Sequence, residues 1–317
     1  MDYIIAIPAL IAFVVTLLIG PWGIRILHQL KFGQTIRDEG PKWHQKKSGT
    51  PTMGGVLFLI GLLVGSLVFA GRYPKVIPVV LVTFGFGLVG FVDDFIKVVM
   101  KRNLGLTPIQ KMAGQFVISI LFAIYMVRFS GLGTDVIIPF THGAAVDLGW
   151  LYIPILVFVL IGTVNGSNFT DGLDGLASSV TVVIAIFLTV VASANGHDLT
   201  PVTSAMIGAL LGFLCFNTYP AKVFMGDTGS LALGAFVAST AYMLKMPFFL
   251  PIIAFIYFVE VLSVIIQVSY YKKTHKRIFK MAPIHHHFEM SGWPETKVVT
   301  IFTIVTAVLC LVGFIAC

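Results

Sequence analysis

Stretches free of Asp, Glu, Lys and Arg recur along the whole chain: 3–24, 48–71, 76–92, 112–127, 148–170, 175–197, 199–221, 228–244, 246–259 and 298–317. A helix that crosses a bilayer needs about 20 mostly apolar residues, within a range of about 17–25. Most of these stretches meet that length outright. The run 112–127 extends through Arg128, whose stem can lie along apolar surface while its head reaches the interface. The run 246–259 is interrupted by Glu260 and then resumes, so 248–270 reads as one span with a buried carboxyl. The pattern predicts an all-α polytopic membrane protein with ten transmembrane helices in a single domain covering 1–317. The runs are too long and continuous for barrel strands, and lipid-exposed backbone must satisfy its own hydrogen bonds. No basic region precedes the first run and no small-residue cleavage site follows it, so it reads as a retained span.

Composition reinforces the pattern. Of the 317 residues 57% are hydrophobic and 11% charged, with a mean hydropathy of +0.95. Soluble domains carry about 25% charged residues. A water-soluble globule, a disordered chain, a disulfide scaffold and a fibrous rod are all excluded. Cys215, Cys310 and Cys317 have no metal-ligand spacing and read as small apolar residues. The net charge of +7 points to anionic partners, namely lipid headgroups, phosphates or nucleotides; no nucleic acid is expected among the partners.

Lysine and arginine set the orientation. Of the 21, 17 fall in the connections after spans 1, 3, 5, 7 and 9, and only Arg72, Lys75, Arg128 and Lys245 fall on the other side. The rich side is therefore cytoplasmic and both termini face outward. It also holds nine of the 14 acids, so the chemistry belongs at that face. Gly61/Gly65 and Gly208/Gly212 have the small-xxx-small spacing of helix packing or dimer contacts.

Five cytoplasmic segments carry candidate chemistry. In Gly90-Phe-Val-Asp-Asp-Phe-Ile-Lys97, helical spacing puts Asp93, Asp94 and Lys97 on one face, with Lys111 returning at the next span. Two adjacent carboxylates repel each other beside a hydrocarbon edge where charge is costly, which points to a metal, a proton acceptor or both. In Asn168-Phe-Thr-Asp-Gly-Leu-Asp-Gly175, a helix cap needs only one polar group. Asn168, Asp171 and Asp174 together could hold a ribose, a base edge or a hydrated cation. The segment Asn217 to Ser230 presents Asp227 at a helix start, as a cap or a metal ligand. The segment Tyr270 to Glu289 is basic, suiting anionic headgroups or a lipid phosphate. It ends in His285-His286-His287, which cannot easily converge on one zinc ion and suits phosphate binding or proton transfer. Lys46-Lys-Ser-Gly-Thr-Pro-Thr-Met-Gly-Gly55 suits an anion-binding loop but lacks the P-loop pattern. The deep Glu260 is either a buried structural acid or a functional one.

Together the segments suit a membrane-embedded enzyme joining a water-soluble phosphate donor to a lipid acceptor. Val92-Asp-Asp-Phe-Ile-Lys97, Asn168 to Gly175 and Gly226-Asp227 resemble the polyprenyl-phosphate N-acetylhexosamine-1-phosphate transferase superfamily over nearly the whole chain. Within it, Gly49-Thr-Pro-Thr-Met-Gly-Gly55 and Pro283-Ile-His-His-His-Phe-Glu289 resemble the phospho-N-acetylmuramoyl-pentapeptide translocase (MraY) family. That resemblance implies transfer of phospho-MurNAc-pentapeptide from UDP-MurNAc-pentapeptide to undecaprenyl phosphate. The products are lipid I and UMP, made at the bacterial cytoplasmic membrane in the first membrane step of peptidoglycan synthesis. It implies Mg²⁺ with Asp227 as ligand, Asp93 and Asp94 as the essential pair, and Asp93 as a candidate to deprotonate the lipid phosphate. Lys97 and Lys111 would contact phosphates, and Asn168, Asp171, Asp174, Asn217 and Phe224 would line the nucleoside-sugar site, with Lys47 and Thr52 nearby. His285, His286 and His287 would bound the pocket, and the family implies a homodimer. The nearest rival is a sister enzyme using UDP-GlcNAc. A rival of another class is a proton- or sodium-coupled secondary transporter, which would place its acids near the midplane.

Overall fold

The computed structural model describes residues 3–30, 49–100 and 105–317. Lys47 lies outside them. The helices, in chain order, are α1 (Tyr3–Gln29), α2 (Gly55–Leu67), α3 (Val76–Val99), α4 (Pro108–Arg128), α5 (Tyr152–Thr170), α6 (Leu176–Ala194), α7 (Thr200–Asn217), α8 (Gly226–Met243), the short α9 (Leu250–Ile253), α10 (Phe255–Thr274), α11 (Ile284–Glu289) and α12 (Glu295–Ala316). Eight helices among the described residues are long and apolar enough to cross a membrane. The chain is a polytopic membrane protein.

Of the ten predicted spans, those at 48–71 and 228–244 are the two without such a helix. In the first, only the 13 residues of α2 are helical, about 20 Å at 1.5 Å per residue. The segment before it is drawn instead into backbone pairing with another loop. In the second, α8 is rich in Gly, Ala, Ser and Thr and is buried at every residue from Thr228 to Met243. A helix walled in by protein needs small side chains for close approach more than it needs hydropathy. It is the central post of the bundle, with α3, α5 and α2 packed against it.

The run 248–270 also departs from a single helix. The chain breaks at Ala254 between α9 and α10, with φ −107° and ψ 30°, and α10 then continues to Thr274. One small sheet departs from an otherwise helical fold. β1 (Asp135–Ile137) pairs antiparallel with β2 (Ala145–Asp147), Val136 opposite Val146. This hairpin sits at the bundle end away from the acid-rich loops, tied down by Ile137 N–H to the Lys245 carbonyl (2.7 Å) and Phe140 N–H to the Ala316 carbonyl (2.9 Å).

The small-xxx-small glycines serve contacts within the chain. Gly61 and Gly65 of α2 and Gly208 and Gly212 of α7 all face α1. A methyl on Gly208 would stand 1.8 Å from the Ala9 carbonyl oxygen, backbone that cannot swing aside. The substitution Gly208→Val is therefore expected to cost about 1–3 kcal/mol by overpacking. Thermal unfolding in detergent would read this as a lower midpoint, and an unchanged midpoint would show that α1 and α7 separate freely.

Candidate active site

The sequence places Asp227 on the first turn of α8 and lets α3 and α4 bring charge to it. Gly90 makes the approach of α3 possible, since a methyl there would lie 2.0 Å from the Asp227 carbonyl oxygen. One helical turn further along, Asp93 pairs with Lys97 at 2.5 Å, the i,i+4 contact its spacing predicts. Lys97 Nζ also donates to Asp227 Oδ2 at 2.9 Å, and Lys111 Nζ of α4 donates to the same oxygen at 2.8 Å. Asn168 Nδ2, near the end of α5, donates to Asp227 Oδ1 at 2.9 Å and to Ser230 Oγ at 2.7 Å. Asp227 is thus the hub on which three other helices converge.

Asp94 has a different task. Its Oδ1 accepts from Asp227 N–H (3.2 Å), and its Oδ2 accepts from Thr228 N–H (2.9 Å) and Thr228 Oγ1 (2.8 Å). Met225, the residue before α8, offers no capping side chain. The orphan amides of α8 are therefore capped by a carboxylate from another helix, placed where the helix dipole also favours negative charge. Gly226 allows this, with φ +73° and no side chain where Asp94 Oδ2 and Thr52 Oγ1 press in. The loop that carries Thr52 is held by bridge-like pairing: Phe224 N–H to Pro51 O (2.8 Å), Gly54 N–H to Phe224 O (2.8 Å) and Gly55 N–H to Met225 O (2.9 Å). Phe224 and Thr52 are thereby brought beside Asp227.

Asp93, Asp94 and Asp227 offer oxygens that all lie within 4.8 Å of one another. The donor set fits Mg²⁺, which prefers carboxylate oxygens and usually keeps water and substrate phosphate as its other ligands. The two lysine ammoniums now neutralise that charge. Asp171 lies in the loop after α5. Desolvation there, reinforced by the charges of Asp227, Asp94 and Asp174, holds its carboxyl well above the usual carboxylate range.

A second group lies beside this hub. Asp174 Oδ2 accepts from Ala221 N–H (2.9 Å), and Asp174 N–H donates to Glu295 Oε1 (2.6 Å). The buried Asn217 holds the same loop, donating to the Val223 carbonyl (3.0 Å) and accepting from Ser178 Oγ (3.2 Å). A cavity of about 640 Å³ opens here, bounded by Asp174, Tyr219, Trp293 and Glu295. It adjoins the acid cluster without containing it. The α6 N-terminus beside it carries no side-chain cap; Gly175 precedes it at φ +77°. Asp171 and Thr170 therefore do not serve as its cap.

The three histidines part company, as adjacent side chains must. His285 Nδ1 meets Glu260 Oε1 at 3.0 Å, His286 Nδ1 meets Glu289 Oε2 at 2.7 Å, and His287 Nδ1 accepts from Lys280 N–H at 3.1 Å. Glu260 therefore pairs with a side chain of the acid-rich end, and it is not an isolated midplane acid. Sequence reasoning missed Ser230, Thr228, Glu289 and Glu295. The i,i+3 spacing of His286 and Glu289 was a usable signal for one of them; the others need the fold.

Residues 76–245, more than half of the chain, match the family described as Glycosyl transferase family 4. Residues 47–59 match the Phospho-N-acetylmuramoyl-pentapeptide-transferase signature 1. A phospho-N-acetylmuramoyl-pentapeptide-transferase of Acetivibrio thermocellus is 52% identical over 310 residues, covering 97% of this chain and 93% of its own length. Proteins of the same description from Caldicellulosiruptor bescii (48% identical, 98% of this chain and 96% of that one) and Clostridioides difficile (48%, 97% and 96%) are similarly related.

Proposed function

This chain belongs to the phospho-N-acetylmuramoyl-pentapeptide-transferase family, and from that premise we propose how its acid hub performs the transfer. The reaction moves phospho-MurNAc-pentapeptide from UDP-MurNAc-pentapeptide to undecaprenyl phosphate in the bacterial cytoplasmic membrane, giving lipid I and UMP. The observation that carries the reading is the convergence of Asp93, Asp94, Asp227, Lys97 and Lys111 at one end of the bundle. The 47–59 signature favours a muramoyl donor over UDP-GlcNAc. A coupled transporter would place its acids near the midplane, whereas Asp93, Asp94 and Asp227 gather where α3 ends and α8 begins.

In this reading the hub end is cytoplasmic, ten helical segments traverse or line the bilayer with both termini outward, and the chain works as a homodimer. Asp227, with Asp93 and Asp94 beside it, would hold Mg²⁺, which would supply charge neutralisation to the donor diphosphate. Lys97 and Lys111 exchange Asp227 for phosphate oxygens as the donor enters. Asp93 takes the proton of the lipid phosphate, a small task because the second ionisation of a phosphomonoester lies near pH 6. Asp171, Asp174, Asn217 and Phe224 seat the nucleoside-sugar portion, and the cavity beside Asp174 has the size of a small-molecule site. Thr52, beside Gly226, is assigned to the donor site, and His286 and His287 to its boundary.

The test is UMP release by purified protein with Mg²⁺ and undecaprenyl phosphate, with UDP-MurNAc-pentapeptide compared to UDP-GlcNAc. Release with the muramoyl donor only is expected. Release with UDP-GlcNAc only would move the protein to another polymer pathway. Chelation of divalent cations with EDTA is expected to stop turnover, and added Mg²⁺ to restore it. Full activity in EDTA would remove the metal from the mechanism.

A further inference from the structure

Glu260 and His285 are 0% and 1% exposed, and they meet through Nδ1 and Oε1 at 3.0 Å. A carboxylate at Nδ1 fixes the proton on that nitrogen, as outer partners do for ligand histidines. The other ends of both side chains, His285 Nε2 and Glu260 Oε2, are buried with no hydrogen-bond partner. Burying unmatched polar atoms costs stability, and a pair that served packing alone would do better as apolar residues.

The contact of the imidazole supplies the reason. Its Nε2 edge lies on Gly172, where a methyl would stand 2.2 Å from Nε2 and 2.5 Å from Cε1. Gly172 follows Asp171 and lies two residues before Asp174, in the turn that joins α5 to α6. The base of the contact is rigid. One turn before Glu260, Tyr257 closes against Gly166 of α5 and its hydroxyl pairs with Thr181 of α6.

We infer that Glu260 is a positioning residue: by gripping the His285 ring at Nδ1 it sets the seat of the Asp171–Asp174 turn and thereby the fit of the donor. The chain of contact runs from α10 through Glu260, His285 and Gly172 to Asp171. This inference rests on the donor-binding role assigned above to Asp171 and Asp174.

Steady-state kinetics of the full chain in detergent, varying donor and acceptor separately, tests it. The substitution Glu260→Ala is expected to raise the donor KM about 10-fold, roughly the worth of one buried hydrogen bond. The acceptor KM should stay at the wild-type value, and kcat should change less than the donor KM. Glu260→Gln keeps an oxygen that accepts from Nδ1–H and is expected to restore the donor KM. An unchanged donor KM in Glu260→Ala, an equal rise in acceptor KM, or a Glu260→Gln variant as poor as Glu260→Ala would each overturn the inference. If Glu260→Ala gives no folded protein, Gly172→Ala probes the same contact from the other side. It should raise the donor KM with Glu260 intact, and a wild-type value would count against the inference. Asp171→Asn in the same assay separates the two readings. A normal donor KM there defeats the donor role of the turn, whereas a raised one beside a normal Glu260→Ala defeats the positioning role alone.

Discussion

Replacing Asp227 by alanine is expected to lower UMP release by at least about 10³-fold, the loss typical when a principal electrostatic group of a transition state is removed. Its two carboxylate oxygens hold Lys97, Lys111 and Asn168 in one arrangement. On the proposed reading it is also the ligand for the cation. Stability should fall as well, because Lys97, Lys111 and Asn168 lose their shared acceptor, a loss that relief of crowding by Asp93 and Asp94 offsets only in part. Turnover should be lost while the thermal midpoint falls only modestly. Near-normal UMP release by Asp227→Ala would show that the metal assignment is wrong.

Asp94→Asn is expected to act mainly through stability. The carboxylate accepts three hydrogen bonds from the start of α8. An asparagine keeps the shape, yet turns an NH₂ toward at least one N–H or O–H donor that has no other acceptor in reach. Hydrogen bonds to charged groups contribute about 1.5–3 kcal/mol each, and loss of a cap costs about 1 kcal/mol. Relief of desolvation offsets part of this, so a net destabilisation of about 2 kcal/mol is expected. Activity should fall with the midpoint, because α8 carries Asp227. Thermal unfolding and UMP release measured together check it. A variant with the wild-type midpoint and no activity would make Asp94 a ligand and not a cap.

The residues show why some of this was legible in the sequence. Helical spacing alone placed Asp93 with Lys97, and the clustering of charge at the odd-numbered connections placed the acid loops together. The small-residue spacing on α2 and α7 announced close packing, although not that its partner was α1. What the sequence hid were partners far apart along the chain. Lys111 reaches Asp227 across 116 residues, and Asp94 reaches Thr228 across 134. Nothing local to Asp94 marks it as the cap of a helix that begins so much later. Hydropathy counting could not show that only 13 residues of α2 are helical in the 48–71 run or that the 248–270 run breaks at Ala254, because it records how apolar a stretch is and is blind to where its backbone turns. The central α8 shows the converse: once protein replaces lipid as the surroundings, small residues replace large apolar ones.

Asp93 lies 17 residues into α3, about 26 Å along its axis at 1.5 Å per residue, with a further turn and a half of helix beyond it. A hydrocarbon core is about 30 Å thick, so on the proposed orientation, with α3 entering the bilayer near its first turn, the acid hub lies recessed near the level of the lipid headgroups. An acceptor tethered in the leaflet meets the hub sideways at its own depth, whereas bulk water must descend to compete for the same phosphorus. On that reading the recess favours transfer over hydrolysis. A hub lifted one helical turn outward is, on the same reading, expected to lose more of its activated donor to water.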